Sequence, residues 1–182
     1  MIEIILAIIP SVLIGIIASY VASKIFLYAN NKKHKPNILI SDKFIKSERK
    51  NDGTPSLKIK LINKTDQDLI NIRIVVKGFE NLSPSGSIPL ISLHCIASRE
   101  LMYIKKFDTN DKNAEYAHQS HLYITGDIQA EYLKYKTIRL SIIADCPYYN
   151  TSSIVTKDYT VATDILDENH RFNTGNSLSI SS

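Results

Sequence analysis

The sequence predicts an all-β fold, an antiparallel two-sheet sandwich, preceded by one N-terminal transmembrane α-helix. Residues 4–23 are twenty residues without a charge, eleven of them Ile, Leu or Val. After Pro36 the pattern changes to short runs in which β-branched and polar residues alternate, the signature of half-buried strands. The 182 residues suffice for an anchor and one ordinary domain, and Gly and Pro, six each, are too sparse for a loop-rich or disordered chain.

The helix comes first. At roughly −0.3 to −0.6 kcal/mol each near a bilayer centre, the Ile, Leu and Val side chains outweigh Pro10, Gly15, Ser11, Ser19 and Ser23. A helix from Ile2 to Ala29 rises about 42 Å, enough to cross a hydrocarbon core of about 30 Å. Tyr20, Phe26 and Tyr28 stand where an interfacial aromatic belt is expected, Lys24 can snorkel, and Asn30-Asn31 with Lys32-Lys33-His34-Lys35-Pro36 closes the helix. The organisation read from the chain is a transmembrane helix over 1–29, a basic juxtamembrane linker over 30–36, a β-sandwich over 37–163 and a disordered tail over 164–182, which mixes charges, Asn, Gly and Ser without a period.

Charge sets the orientation. Residues 24–50 hold eight basic and two acidic side chains, whereas the chain after residue 50 is close to neutral, so the domain is no nucleic-acid partner. Lys24, Lys32, Lys33 and Lys35 form a basic cluster for an anionic membrane surface. The positive-inside rule then predicts a single-pass cell-membrane protein with a cytoplasmic C-terminal domain. A cleaved signal peptide ending near Val21-Ala22-Ser23 is the competing reading, and Glu3 in place of a basic start argues against it.

Within the helix, Ala7, Ser11, Gly15, Ser19 and Ser23 recur at every fourth position, the small-xxx-small pattern that lets helix backbones approach closely. The expectation is a helix-association face and a homo-oligomer, or in a larger ring a Ser-lined path. The same residue types are common in membrane helices that do not associate, so both readings stay open.

The strands follow in order. A run near 38–46 precedes Leu57, Ile59 and Leu61, which alternate with Lys58 and Lys60. The turn formers Asn63-Lys64-Thr65-Asp66-Gln67-Asp68 lead to Ile70, Ile72, Ile74 and Val76, which alternate with polar residues. Runs near 88–96 and 99–107 come next. A hairpin about Gly126-Asp127 joins 122–125 to 128–132, and Ile138, Leu140, Ile142 and Ala144 alternate before a last strand at Val155, Tyr159 and Val161. Seven or eight strands in about 125 residues suit a two-sheet sandwich.

Leu57 to Val76, with its Asn-Lys-Thr-Asp turn, resembles the central hairpin of bacterial immunoglobulin-like and adhesion-type sandwich domains, and Ile138 to Val161 is similar to their last hairpin. The resemblance implies an immunoglobulin-like topology and a bias toward binding. The chain departs from antibody domains in having no Trp and no Cys pair in facing strands.

No phosphate-binding Gly loop, His-Glu-x-x-His, Cys-x-x-Cys or Gly-x-Ser-x-Gly occurs, so the expectation is a non-enzyme without metal or cofactor. His118 and His121, near His94-Cys95, read as surface-loop histidines, and Asp108, Asn110, Asp111 and Glu115 as a solvated acidic loop that departs from the EF-hand pattern. Cys95 and Cys146 are expected as reduced thiols in a cytoplasmic domain, or as a disulfide in an exported one. The loop Cys146-Pro147-Tyr148-Tyr149-Asn150 is the candidate binding loop, with Tyr148, Tyr149 and Asn150 as its contact residues, because sandwich-end loops present binding groups and tyrosines anchor interfaces.

The functional expectation is a membrane-anchored interaction protein: a self-associating membrane effector or accessory subunit of a bacterial defence or toxin system, acting on the membrane and an unidentified protein partner. The Ile, Lys and Asn bias fits an AT-rich bacterial genome. The alternative is a cell-envelope assembly or adhesion module with an exported domain.

Overall fold

In the computed structural model of the chain, the described residues are 2–81, 91–106, 110, 117–124 and 132–181. The chain forms two compact units, residues 1–35 and 36–182.

The first unit is the helix α1, Ile2–His34, apolar on all sides over most of its length. Its stretch Val12–His34 is long and apolar enough to cross a membrane. The helix runs past Ala29 to His34, so the basic segment expected as a linker is mostly its last turn. Lys32, Lys33 and His34 sit there, where cations meet the negative end of the helix dipole.

The second unit is β-rich. Its first sheet is built on β3 (Pro55–Asn63). The short strands β1 (Ile38–Ile40) and β2 (Phe44–Glu48) pair antiparallel end to end along one edge of β3, and β6 (Ala117–Tyr123) pairs antiparallel along the other. The second sheet has β4 (Leu69–Asn81) between β5 (Ile91–Ile104) and β7 (Thr137–Cys146), with β8 (Thr151–Thr160) outermost and every pairing antiparallel.

One core takes side chains from both sheets. Leu57, Ile59, Leu61 and Leu122 come from the first; Ile72, Ile74, Val76, Ile138, Leu140, Ile142, Ala144 and Tyr159 come from the second. The period-2 pattern produces this directly: β7 alternates buried and more exposed residues along its whole length. The sheets are also stitched at one edge. Tyr159 donates its hydroxyl to the Ser41 carbonyl at 2.8 Å, in the break between β1 and β2, and its ring lies 4.4 Å from that of Phe44. Burial, with the nearby Asp42 and Asp164 charges, pushes the Tyr159 phenol well above its ordinary range, so it remains a donor.

Bulges change the face of two predicted runs. The alternation points Ile70 inward with Ile72, yet Leu69 is fully buried and Ile70 only half so. Asn71 adopts a left-handed φ of 51° within a register shift, and the extra residue moves everything before it to the other face. In β5 a shift opposite Val76/Lys77 leaves Ile96 and Ala97 both buried. That break in alternation makes one strand read as two runs.

The expected disordered tail is ordered instead. After a helical turn at Val161–Asp164, β9 (Ile165–Leu166) adds parallel to β2, and β10 (Arg171–Phe172) pairs with β11 (Ile180–Ser181). Lys60, expected on a wetted strand face, is only 4% exposed. Its ammonium donates to the carbonyls of Asn173 and Gly175 at 2.6 and 2.7 Å, and Lys46 pairs with Asp167 at 2.9 Å. A cation and two carbonyls thus order a segment whose composition carries no periodic signal. The hairpin expected about Gly126-Asp127 lies outside the described residues, as do residues 88–90 and 107 of the runs flanking β5.

Gly78 in β4 is the described glycine whose missing side chain makes room for a neighbour. A Cβ there would meet three ring atoms of the buried Tyr135 at 2.6–2.8 Å. Gly78→Ala is expected to destabilise the domain by about 1–3 kcal/mol, the usual range for overpacking. Denaturant midpoints of the two chains check this, and equal midpoints would mean that the ring steps aside freely.

Candidate interaction surface

The loops at the end of the domain where Pro36 enters are tied together by side chains. Asn63 closes β3 and is fully buried. Its amide donates to the Gln67 carbonyl at 2.9 Å and to the Ile104 and Lys105 carbonyls at 3.5 and 3.3 Å, while its oxygen accepts the Thr65 N–H at 2.8 Å. One side chain therefore holds the β3–β4 loop in shape and joins it to the end of β5. Thr65 Oγ1 accepts the Asn37 N–H at 2.9 Å, Lys64 N–H donates to the Asn37 carbonyl, and Ser153 Oγ donates to the Pro36 carbonyl at 2.9 Å. The first residues of the domain are thus clamped between the β3–β4 loop and β8.

The predicted binding loop sits at the same end. Cys146 pairs with Thr151, leaving Pro147-Tyr148-Tyr149-Asn150 as the β7–β8 connection. It closes by an Asn150 N–H bond to the Pro147 carbonyl, with Asn150 in the left-handed region at φ 50°. Asn tolerates that conformation better than any residue but Gly. The two tyrosines divide their roles. Tyr149 packs on the core edge and donates its hydroxyl to Asp66 at 2.7 Å, which raises its phenol pKa. Tyr148 meets that ring edge-on at 4.9 Å between centroids and is 73% exposed. A ring held in this way has little side-chain freedom left to lose in a contact.

Asp68 braces the neighbouring segment, accepting the Lys106 N–H at 2.7 Å and the Tyr103 hydroxyl at 3.3 Å. Partial burial, then the Asp68 charge, raises the Tyr103 phenol. Beside it Met102 is 90% exposed. Asp66, Asp68, Met102 and Tyr103 belong to this surface and the buried Asn63 braces it from beneath, and sequence reasoning does not assign them to it. The run from Asn63 to Asp68 reads only as turn formers, and its pairing with Tyr103, Lys106 and Tyr149 is long-range.

The other residues singled out are dispersed. Gly15, Ser19 and Ser23 lie in α1 at the spacing of one helix face; the side chains of Ala7 and Ser11 fall outside the described set. Lys24, Lys32, Lys33 and Lys35 are exposed, with the Lys24 ammonium 5.5 Å from the Tyr20 ring centre. His118 and His121 are not in a surface loop. They lie in β6, and three-residue spacing in a strand sends them to opposite faces. Burial lowers both imidazole pKa values, assisted by Arg99 for His118 and by Lys58 and then Arg99 for His121. Asp108, Asp111 and Glu115 fall outside the described residues, and among those described no three His, Cys, Asp or Glu side chains group to hold a metal ion.

Cys95 is exposed and Cys146 buried, both as free thiols. Cys95 faces Lys77 across β4, and Cys146 follows the residue paired with Ile70, so about 20 Å of strand separates their levels. No disulfide spans more than about 7 Å between Cα atoms, which removes the pairing expected for an exported domain.

No family model matches the chain, and no curated protein matches it.

Proposed function

We propose that the protein is a single-pass, membrane-anchored binding module, without enzymatic activity, whose immunoglobulin-like domain recognises its target with the loops around Tyr148, Tyr149 and Asn150. The observation that carries this is the braced end of the domain: Tyr149 and Asp66 fix the platform, and Tyr148 stands out from it. The immunoglobulin-like reading draws support from strand order. β1/β2–β3–β6 opposite β5–β4–β7–β8 matches strands A, B and E opposite C′, C, F and G of that sandwich. In it the β3–β4 and β7–β8 loops correspond to two of the loops that antibodies use for recognition.

In this reading α1 is the anchor, the lysine cluster holds the domain on the cytoplasmic side, and Gly15, Ser19 and Ser23 bring copies together as a membrane effector or accessory subunit of a bacterial defence or toxin system. The cell-envelope reading differs in sidedness. One experiment tests both parts: treatment of intact cells with a membrane-impermeant thiol reagent, followed by cross-linking in isolated membranes. Exposed Cys95 is expected to react only after lysis, and cross-linked dimers to be lost in Gly15→Leu, which places bulk in the association face. Labelling of Cys95 on intact cells would move the domain outside. Monomers alone, in the presence and absence of cell extract, would remove self-association.

A further inference from the structure

The end of the domain that carries Tyr148 has a chemistry more specific than a general recognition surface. Three observations converge there. The first is the tether. α1 ends at His34, one residue separates it from Pro36, and Pro36 is bound into the domain by Ser153. From Ala29 to His34 the helix rises only about 8 Å, comparable to one headgroup layer. The second is side-chain type: Tyr148, Tyr103 and Met102 are exposed together, and Tyr is enriched where one end of a ring is apolar and the other wet. The third is charge. Lys64, Lys105 and Lys106 are exposed at this end and the exposed Lys35 directly precedes Pro36, four ammonium groups against the carboxylates of Asp66, Asp68 and Asp145, which are held in hydrogen bonds to Tyr149, to Tyr103 and the Lys106 N–H, and to Asn71 and Ser152.

We propose that this end of the domain seats on an anionic phospholipid surface, with Tyr148 entering the headgroup layer and Lys64, Lys105 and Lys106 facing lipid phosphates. The proposal rests on the reading of α1 as a membrane span, and it names the partner of the tyrosine loops: the membrane in which the chain itself is anchored. The hydrogen bonds of Asn63, Asp66 and Asp68 then serve to keep the loops flat against that surface. Seating on lipid would fix the orientation of the domain and leave the outer face of the β5–β4–β7–β8 sheet available to other molecules.

The chain contains no Trp, so a single introduced indole reports one position. Full-length Tyr148→Trp is placed in phosphatidylcholine vesicles with and without phosphatidylglycerol, a fraction of the lipid carrying brominated acyl chains. Asn51→Trp, in the turn between β2 and β3 at the opposite end of the domain, is the comparison. The expected result is a blue-shifted, bromine-quenched emission at position 148 that requires phosphatidylglycerol, reverses in high salt, and weakens in the Lys105→Glu/Lys106→Glu background. Position 51 stays solvent-like throughout. A solvent-like, unquenched indole at position 148, in a chain that still floats with vesicles after alkaline carbonate, would overturn the proposal and leave the anchor standing. Failure to float would remove the anchor, and the proposal with it. An indole at position 148 that is blue-shifted in every vesicle composition yet not quenched by brominated acyl chains would assign the surface to a protein contact and also overturn it.

Discussion

A chain ended at Asp164 is expected to melt about 10–20 °C below the full-length chain, a loss on the order of 5 kcal/mol in a domain of this size. Such a truncation removes β9, whose Ile165 belongs to the core, and the carbonyls of Asn173 and Gly175 that satisfy Lys60. It also uncovers part of the outer face of the first sheet. Ile45 and Ile62 are buried there without belonging to the central core, and exposing one such side chain costs about 1.5–3 kcal/mol. The Lys60 ammonium regains water, which offsets some of the loss. Near-UV circular dichroism of the detergent-solubilised chains, dominated by the tyrosines of the domain over Tyr20 and Tyr28 of the helix, measures the effect. Equal melting would mean that the tail is an appendage, as its composition alone suggests.

Asn63→Leu is the second large effect. The substitution roughly preserves volume but deletes an amide that serves three carbonyls and one N–H at the joint between the β3–β4 loop and β5. Net losses near 1 kcal/mol per bond, together with partners left unpaired in a buried place, predict about 2–4 kcal/mol of destabilisation. The loss should be local as well as global. Amide exchange at Thr65 and Gln67 is expected to accelerate, and protease cleavage within 64–68 to appear, before the denaturant midpoint is reached. An unchanged midpoint with normal exchange would mean that the clamp from Asn37 to Thr65 holds the loop without Asn63.

Where local pattern and final structure share a cause, the sequence is readable. The charge-free run, the lysines closing it, and the alternation of Leu57–Leu61 and Ile138–Ala144 are effects of periodicity, which acts on near neighbours and needs no tertiary partner. The loop at Tyr148 and Tyr149 is legible for the same reason: Pro and Asn around two tyrosines between strands mark an exposed hairpin connection. Ile70 is misplaced by pattern because a bulge costs one residue of phase and leaves only Asn71 as its trace. His118 and His121 look like loop residues because the polar run around them hides a strand whose inner face is covered by the facing sheet.

The amino-acid order alone determined that a long apolar helix precedes a β-rich domain, which strand faces are apolar, and where the lysines gather. These follow from hydrophobic spacing and charge along the chain. Only the tertiary structure decided that Lys60 would be buried under an ordered tail, that Asn63 and two aspartates would lock the loops beneath Tyr148, and that the two cysteines would lie beyond disulfide reach. Each of these depends on groups far apart in the chain, such as Lys60 with Gly175 or Asp66 with Tyr149. Their hydrogen bonds become favourable only after the sheets have formed and excluded water from the donors and acceptors.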